Sequence, residues 1–258
     1  MDNLIHPSTE LKNVELEDFV NIGKGSLVLN SKISNGCEIG VGCILKNVVI
    51  GKNVVIGNYC ELKNCTIKEG TQISSYVVIG NRPQNYKDHR DYYSDSSVLI
   101  GNNVIIREKV IINKGIDKDT VINDNCYLMA NSLVDHDCIL EERVVLSTGC
   151  ILGGYVHILK GANLGIGTVV HQNSTIGHFS MIAANTAVVK DVPPFAKLIP
   201  NKRLLYNKVI MEREFPELLK CVDKSFYYFG GEDPTNDFCK NLYNSWLEIR
   251  DKDRSVYA

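Results

Sequence analysis

One histidine of this chain stands between two carboxylates, in Asp135-His136-Asp137. A carboxylate beside an imidazole can hold one tautomer of the ring and raise its basicity, which suits a general base. The competing interpretation is an exposed histidine at a turn that has no chemical role. The residues by themselves leave both interpretations open, with His136 as the candidate base and Asp137 or Asp135 as the group that orients it.

Further residues could bind a ligand beside such a base. His171 and Gln172 directly follow an aliphatic position, and Gly153-Gly154 leaves backbone N–H groups accessible to a ligand, where they can stabilise an oxyanion. Zinc binding is the alternative use of the six histidines. Three converging histidines would be needed, and His171 and His178, seven residues apart, are not spaced as such a pair. We therefore predict no metal site.

The elements that must position these residues show a period of six. Twelve aliphatic residues follow one another at that spacing: Ile122, Leu128, Val134, Leu140, Leu146, Leu152, Ile158, Leu164, Val170, Ile176, Ile182 and Val188. A small residue or a valine stands two positions before each of them. The period fits neither a helix nor an alternating strand and is typical of a hexapeptide β-helix, in which three short strands close one triangular coil.

The same pattern runs upstream and supports about nine coils. Steps of five occur at 28 to 33, 45 to 50 and 62 to 67, where we predict a corner shortened by one residue. Hexapeptide β-helices wind left-handed, against the usual right-handed crossover rule, and we expect that hand here. Seven of the nine cysteines occupy the small inward position and should behave as buried apolar residues: Cys37, Cys43, Cys60, Cys65, Cys126, Cys138 and Cys150.

Two longer steps predict loops. Ile79 and Ile100 are 21 residues apart, and the inserted segment at about 81–97 is rich in Arg, Lys, Asp and Tyr; Ile112 and Ile122 are ten apart. An insertion in a solenoid must project outward, because the interior is filled by side chains. We expect these loops to carry binding chemistry, with a neutral surface insertion as the alternative.

The period ends at Lys190-Asp191-Val192-Pro193-Pro194. We predict an all-β left-handed parallel β-helix over residues 1–192, followed by a small α-helical C-terminal domain over 193–258. The apolar residues of this last part recur at helical spacing. They are Leu204, Leu205 and Val209, then Leu218, Leu219, Val222 and Phe226, then Phe238, Leu242, Trp246 and Ile249.

Bulk properties exclude several classes of protein. The 258 residues carry a net charge of −2 and contain no long apolar run, which argues against nucleic-acid binding and against a membrane span. The segment Met1–Ile5 does not have the character of a signal peptide, so we expect a cytoplasmic protein. Flat outer faces on a three-sided prism favour side-by-side association, and we predict a homotrimer.

Several stretches together resemble the UDP-N-acetylglucosamine 3-O-acyltransferases of lipid A synthesis. They are Ile79 to Gln84, Ile106-Arg107-Glu108, Asn131 to Cys138, Leu152-Gly153-Gly154, Val170-His171-Gln172 and Asp191 to Pro194. The resemblance covers nearly the whole chain and implies a trimeric left-handed β-helix with active sites between subunits. It implies that His136 acts as general base with support from Asp137, and that His171, Gln172 and Gly154 line the acyl-donor groove.

The chain also departs from that family. Arg82 stands where the family has aspartate in a Gly-Asp-Pro-Gln loop, and Leu133 and Tyr155 stand where the family has histidines that contact the sugar. These differences imply a different acceptor sugar. Arg82 and Gln84 in the inserted loop, with Leu133 and Tyr155, are the predicted contacts to the nucleotide-linked sugar. For Arg82 the reason is that a guanidinium pairs well with nucleotide phosphates. Ala184 matches a glycine that sets acyl-chain length, which implies a shorter acyl group.

We therefore predict an acyltransferase that uses a nucleotide-linked sugar. The main prediction is transfer of acetyl from acetyl-CoA to the 3-amino group of a dTDP- or UDP-linked hexose, because N-acetyltransferases of that kind are similar in fold and donor groove. The first alternative is 3-O-acyl transfer from acyl carrier protein to UDP-N-acetylglucosamine, and the second is a β-helix that serves as a non-catalytic scaffold. No permanently bound cofactor is expected, since acetyl-CoA or acyl carrier protein is the donor.

Overall fold

The chain folds as a parallel β-helix with a small helical region at its C-terminal end. The computed structural model describes residues 2–85, 95–216, 237–251 and 253–257. In chain order the strands are β1 (Leu4–Ile5), β2 (Glu10–Leu16), β3 (Asn21–Ile22), β4 (Leu27–Ile33), β5 (Glu38–Ile39), β6 (Ile44–Ile50), β7 (Val55–Ile56), β8 (Glu61–Ile67), β9 (Gln72–Ile73), β10 (Val78–Asn81), β11 (Val98–Ile100), β12 (Ile105–Ile106), β13 (Ile111–Asn113), β14 (Thr120–Ile122), β15 (Tyr127–Leu128), β16 (Leu133–Val134), β17 (Ile139–Leu140), β18 (Val145–Leu146), β19 (Ile151–Leu152), β20 (His157–Ile158), β21 (Asn163–Leu164), β22 (Val169–Val170), β23 (Thr175–Ile176), β24 (Met181–Ile182), β25 (Ala187–Val188), β26 (Ala196–Ile199) and β27 (Arg203–Tyr206).

Three faces make up the prism. Face one is the sheet that runs β1-β3-β5-β7-β9-β12-β15-β18-β21-β24-β26, with β27 at its end. Face two contains β10, β13, β16, β19, β22 and β25, and face three contains β11, β14, β17, β20 and β23. The longer strands β2, β4, β6 and β8 run across both of these faces. The coils number about ten, one more than the sequence predicted, and wind left-handed as expected.

The six-residue period sets the core as predicted. Side chains alternate between the two sides of a strand, so residues two apart share a side. In β17 the outward Ile139 is half-buried, whereas Leu140 and Cys138 on either side of it are completely buried. All seven cysteines of the small inward position are buried. Each buried aliphatic side chain contributes about 1.5–3 kcal/mol through removal of its surface from water.

The shortened corners of the early coils are confirmed, and each is made by one asparagine. Asn13, Asn30, Asn47 and Asn64 lie within β2, β4, β6 and β8 and have positive φ angles of 54°, 48°, 55° and 45°. Asparagine tolerates this left-handed conformation better than most residues. The four side chains bond from coil to coil, with Nδ2 to Oδ1 distances of 3.0, 3.3 and 2.9 Å.

The beginning of the C-terminal region differs from the sequence prediction. Leu204 and Leu205, predicted as helical, lie in β27, which pairs antiparallel with β26 around a turn at Asn201 (φ 68°). Because Leu198 and Leu204 face each other and are both buried, the hairpin extends face one beyond the last coil. Helix α1 begins only at Lys208 and runs Lys208–Glu214. The division of the chain at residue 192 stays a prediction.

A second helix confirms the last helical pattern. Helix α2 spans Asp237–Ile249 and buries Trp246 and Cys239. The predicted stripe of Leu218, Leu219, Val222 and Phe226 lies outside the described residues. Phe179 and Phe195 from the last coils pack with Met211 of α1 in a separate apolar cluster. No helix within the described residues is both long enough and apolar enough to cross a membrane.

The residues after α2 return to the last coil. Asp191 N donates to Ser255 O (3.0 Å) and Tyr257 N donates to Asp191 O (3.1 Å). The carboxylate of Asp191 is fully buried and accepts from Arg250 Nε (3.1 Å) and Arg254 Nε (3.3 Å). This C-terminal segment, described over residues 250–251 and 253–257, therefore covers backbone groups that the final coil would otherwise expose.

We expect Arg254→Ala to lower the free energy of unfolding by roughly 3 kcal/mol, because it removes one of two cations from a buried carboxylate. The measurement is urea denaturation followed by circular dichroism. Lys208→Ala is the control, since the ion pair of Lys208 with Glu212 is exposed and should be worth less than about 1 kcal/mol. Equal losses in the two variants would contradict the assignment.

Candidate active site

One edge of the prism, between faces two and three, carries both long insertions. We call it the His136 edge; its described residues are 63–64, 80–85, 95–97, 113–119, 135–137, 153–155 and 171–173. The pairing of Ile112 with Val134, and of Val134 with Leu152, stacks these corners in order. Successive corners lie about 4.8 Å apart, the spacing of neighbouring strands. The second insertion, residues 113–119, is therefore confirmed as a loop at the edge that holds the candidate base. The described ends of the first insertion, residues 82–85 and 95–97, lie at the same edge.

His136 lies at a corner, as predicted, but it is buried and only 6% exposed. Its Nδ1 lies 2.7 Å from Oδ2 of Asp137. An ionised carboxylate can only accept, so Nδ1 carries a proton, and in the neutral imidazole Nε2 keeps its lone pair. Nε2 forms no hydrogen bond with the part of the chain that the structure describes. This arrangement is the one that a general base requires.

Asp137 is fixed by the loop that follows β13. Its carboxylate accepts backbone N–H bonds from Ile116 (2.9 Å), Asp117 (2.9 Å) and Lys118 (2.8 Å). Its own N–H donates to Thr120 Oγ1 (2.9 Å), and its φ angle is 59°. The ten-residue step in the sequence thus forms a loop that wraps the carboxylate of the candidate dyad.

Asp135 links the other insertion to the same corner. Its Oδ1 accepts from Asn113 Nδ2 (2.9 Å), from the backbone of His136 (2.9 Å) and from the backbone of Gln84 (3.3 Å). Gln84 and Arg82, both exposed, begin the inserted loop at this edge. Residues 86–94 of that loop lie outside the described residues.

Gly154 and Tyr155 of the next coil enclose the imidazole. A Cβ on Gly154 would lie 2.4 Å from Cε1 and 2.6 Å from Nε2 of His136, so the ring rests directly on the glycine backbone. The ring of Tyr155 meets the imidazole edge-on, with centroids 5.1 Å apart and planes at 90°. Within the described chain the N–H of Gly154 donates to no acceptor, whereas those of Gly153 and Tyr155 bond to neighbouring coils.

The charges at this corner shift two pKa values in opposite directions. Burial acts to lower the pKa of His136, but the hydrogen bond to Asp137 and the negative charges of Asp135, Asp137 and Asp117 outweigh it and raise the pKa. Burial acts to raise the pKa of Asp137, but the bond to His136 and the backbone N–H groups of residues 116–118 lower it. Asp137 is therefore ionised at neutral pH.

We expect Asp137→Asn to lower the pKa of His136, because it removes the negative charge that favours the imidazolium. The titration midpoint of the ring, followed by NMR, should lie above the ordinary value of about 6.5 in the wild type and move down in the variant. Asp253→Asn, at an exposed position of the C-terminal segment, serves as control and should leave the midpoint in place. An unchanged midpoint in Asp137→Asn would contradict this description of the dyad.

Three of the four residues predicted to bind the acyl donor, Gly154, His171 and Gln172, share the edge. His171 and Gln172, both exposed, form the corner one coil beyond Gly153-Gly154, and the backbone N of Asn173 donates to Gly154 O (2.9 Å). The carbonyl of Gln172 accepts from Arg254 Nη1 (2.9 Å), so the C-terminal segment reaches this corner. Leu133 is half-buried in β16 on face two, two residues before Asp135.

Ala184 is not brought to this edge. It is exposed in the corner after β24, between faces one and two, where Asn185 N bonds to Ile166 O (2.7 Å). Within one chain, face two therefore separates it from His136. A cleft of about 710 Å³ lies elsewhere, between face one and α1, and contains none of the predicted site residues. No three His, Cys, Asp or Glu side chains of the described ranges are grouped as a metal site.

Sequence reasoning missed two parts of the site. It did not assign the backbone of residues 116–118 to Asp137, although the ten-residue step marked that loop. It also missed Asp117, whose Oδ2 accepts from the hydroxyl of Tyr155 at 2.5 Å. No sequence signal pairs these two residues, because they are 38 positions apart and meet only when the coils stack.

Comparisons with known proteins agree with the fold and with the resemblance. Residues 17–100 match the family model described as GlmU-like, C-terminal hexapeptide. An acyl-(acyl-carrier-protein)–UDP-N-acetylglucosamine O-acyltransferase of Nautilia profundicola is 33% identical over 177 residues, which cover 66% of this chain and 67% of that protein. The enzyme of that name from Helicobacter pylori is 30% identical over 155 residues, 59% of this chain and 56% of that protein.

The structural likeness extends further than the sequence matches. The UDP-N-acetylglucosamine acyltransferase from Campylobacter jejuni has a TM-score of 0.72 and 28% identity, covering 96% of this chain and 92% of that chain. The two sequence matches span between about half and two thirds of the curated relatives. Identity over this length, together with the shared fold, relates the chain to one set of enzymes.

Proposed function

The chain belongs to the acyl-(acyl-carrier-protein)–UDP-N-acetylglucosamine O-acyltransferase family, and on that premise we propose that it transfers an acyl group from acyl carrier protein to the 3-hydroxyl of UDP-N-acetylglucosamine. This was the first alternative from the sequence, and the relatives' names support it better than the main prediction. Acetyl-CoA as donor and a 3-amino group as acceptor are not confirmed.

The observation that carries the proposal is the His136–Asp137 pair, with Nδ1 of the imidazole bonded to the carboxylate at 2.7 Å and Nε2 unbonded within the described chain. A sugar hydroxyl is a poor nucleophile until a base removes its proton. An imidazole held in this tautomer can accept that proton as the oxygen attacks. Asp137 then stabilises the imidazolium that forms.

The proposed reaction proceeds in two steps on the His136 edge. The sugar oxygen bonds to the thioester carbonyl carbon while its proton passes to Nε2 of His136, and the carbonyl oxygen gains negative charge. The N–H of Gly154, which bonds to no other coil in the described residues, is placed to donate to that oxygen. The carbon–sulfur bond then breaks, the ester forms, and His136 returns the proton to the departing thiolate.

Other residues have proposed binding roles. Arg82 and Gln84 lie where the first insertion leaves the edge and are proposed contacts to the nucleotide sugar, with Leu133 and Tyr155 shaping its pocket. His171 and Gln172, one coil beyond Gly154, are proposed to line the donor groove. Ala184 lies at another edge, so a role in acyl-chain length would require an acyl chain that crosses face two or a second protomer.

The proposal is tested by measuring the release of carrier-protein thiol with a panel of acyl carrier proteins loaded with acyl chains from acetyl to palmitoyl. UDP-N-acetylglucosamine is the acceptor, and its 3-amino analogue and acetyl-CoA are included as the competing substrates. Thiol release that depends on acyl carrier protein and on UDP-N-acetylglucosamine supports the proposal. Turnover with acetyl-CoA and the amino sugar alone, or with no pair at all, overturns it.

We also propose that the active form is a homotrimer, as predicted for a three-sided prism with flat faces. Apolar side chains on face two are partly exposed in the single chain, among them Ile151 (44%) and Val169 (45%). Native mass spectrometry or sedimentation equilibrium would give the mass of the assembly directly. A monomer at working concentrations would contradict this part of the proposal.

A further inference from the structure

The contacts around His136 form a closed circuit of four residues, His136, Asp137, Asp117 and Tyr155, of which the last two lie outside the dyad. Nδ1 of His136 bonds to Asp137, whose Oδ1 accepts from the backbone N of Asp117 at 2.9 Å. The side chain of Asp117 accepts from Tyr155 OH at 2.5 Å, and the ring of Tyr155 returns to the imidazole edge-on. Each of these four residues therefore contacts the next one in the circuit.

Each contact of this circuit restricts a different motion. The backbone N of Tyr155 donates to His136 O (2.9 Å), so the two residues are also fixed relative to each other as neighbouring corners. The backbone of Gly154 blocks movement of the imidazole towards the next coil, and the ring of Tyr155 limits rotation of the imidazole. Asp117 joins the loop after β13 to two coils. Its backbone N–H bonds to Asp137 in the next coil, and its carboxylate bonds to Tyr155 in the coil after that.

The Tyr155–Asp117 bond is short, although Asp117 is exposed to solvent. A hydroxyl that donates to a carboxylate over so short a distance is a charge-assisted bond, about twice as strong as one between neutral groups. The bond links the 113–119 loop directly to the coil of Gly154 and Tyr155, on which the imidazole rests. The loop is also held to the end of the first insertion, where Ser96 Oγ donates to Gly115 O and Ser97 donates through its N–H and Oγ to Asp119 Oδ1 (2.7 and 3.0 Å). Loss of the Tyr155–Asp117 bond would remove a direct link between the loop and the coil of Tyr155.

We propose that Tyr155 and Asp117 are positioning residues, which hold the 113–119 loop against the Asp137 carboxylate so that the imidazole of His136 keeps one orientation during turnover. The expected effect on kcat rests on the proposed function, whereas the expected effect on the orientation of the imidazole rests on geometry alone. The ring of Tyr155, which we propose shapes the sugar pocket, is retained in Tyr155→Phe. The hydroxyl of Tyr155 and the carboxylate of Asp117 act through His136 and need not touch the reacting atoms. Their effect should therefore appear in kcat more than in KM for the sugar nucleotide.

The first measurement needs no substrate. The exchange rate of the Nδ1 proton of His136 with water, followed by NMR of labelled histidine, should rise about tenfold in Tyr155→Phe, because the loop that holds its acceptor opens more often. Tyr76→Phe is the control, since Tyr76 is an exposed stacking residue at another edge. An exchange rate in Tyr155→Phe equal to that of the control overturns the proposal.

The second measurement is kinetic. Tyr155→Phe and Asp117→Asn should each lower kcat by about tenfold, with the KM for UDP-N-acetylglucosamine changed less than about twofold. Asp124→Asn is the control, because Asp124 links neighbouring coils through Asn102 (2.8 and 3.0 Å) at an edge away from His136. In Asp117→Asn the acid limb of the pH profile should also move to lower pH, since one negative charge near the imidazole is lost.

The two measurements separate the failure of one proposal from that of the other. If the wild-type protein consumes no acyl carrier protein thioester, the proposed function fails, and the proton-exchange result still decides whether Tyr155 positions the imidazole. If the wild type is active and both variants keep kcat, the positioning role fails and the proposed function stands. A loss of thermal stability alone, with kcat, pH profile and proton exchange unchanged, also overturns the positioning role.

Discussion

Replacing His136 with alanine should lower kcat for acyl transfer by about 10²- to 10⁴-fold, the usual contribution of a general base. The imidazole is the one group whose tautomer is fixed for proton removal at this corner, through the 2.7 Å bond of Nδ1 to Asp137. The KM for UDP-N-acetylglucosamine should change much less, since the loss falls on the chemical step. The assay is release of carrier-protein thiol under saturating donor and acceptor.

The matched control for this variant is His6→Ala. His6 is exposed near the N-terminal end of the β-helix and bonds only to Ser8 among its side-chain partners in the described residues. Its replacement should leave kcat within about twofold of the wild type, as expected for an exposed position away from the site. A folded His136→Ala protein with wild-type kcat would remove His136 from the mechanism and would favour the scaffold alternative.

A methyl group on Gly154 should have nearly as large an effect. The added Cβ would lie 2.4 Å from Cε1 and 2.6 Å from Nε2 of His136, closer than atoms can approach without displacement. The imidazole must move by about 1 Å, which is enough to lower kcat by about 100-fold when a base has to meet one proton. We therefore expect Gly154→Ala to lose most activity while the coils remain folded.

Gly149→Ala provides the comparison for this second variant. A Cβ at Gly149 meets nothing within 4 Å, although its φ angle of 73° adds about 1–2 kcal/mol of backbone strain. This variant should lose some thermal stability and retain kcat, the reverse of Gly154→Ala. If Gly154→Ala instead keeps wild-type kcat and the wild-type titration of His136, the imidazole does not rest on Gly154 as described.

The architecture could be predicted from the sequence because the inward positions of a β-helix repeat in fixed register. The six-residue period gave the coils, the steps of five gave the one-residue corners at Asn30, Asn47 and Asn64, and the two long steps gave the loops. The hairpin of β26 and β27 was missed, since its leucines fit a helical pattern as well as an alternating one. β27 pairs with β26, which in turn pairs with β24, and the contact between β24 and β26 is not local.

The candidate site was predictable only in part. The residues Asp135-His136-Asp137 and Gly153-Gly154 could be picked out by type, and the coil period places them one above the other. The hydrogen-bond partners of the two carboxylates could not be predicted, because Asp137 is held by backbone N–H groups and Asp135 by Asn113 and the backbone of Gln84. Backbone donors leave no mark on residue type, so only the folded loop reveals them.

The His136 edge turns with a single asparagine in the early coils, with three residues in the later coils, and with long loops in between. The inward aliphatic residues on either side keep the same stacking in all of these cases. Segments of very different length can therefore be exchanged at this edge without repacking the interior. Such independence allows loop length to vary along this rim, except where the backbone of residues 116–118 must hold the carboxylate of Asp137.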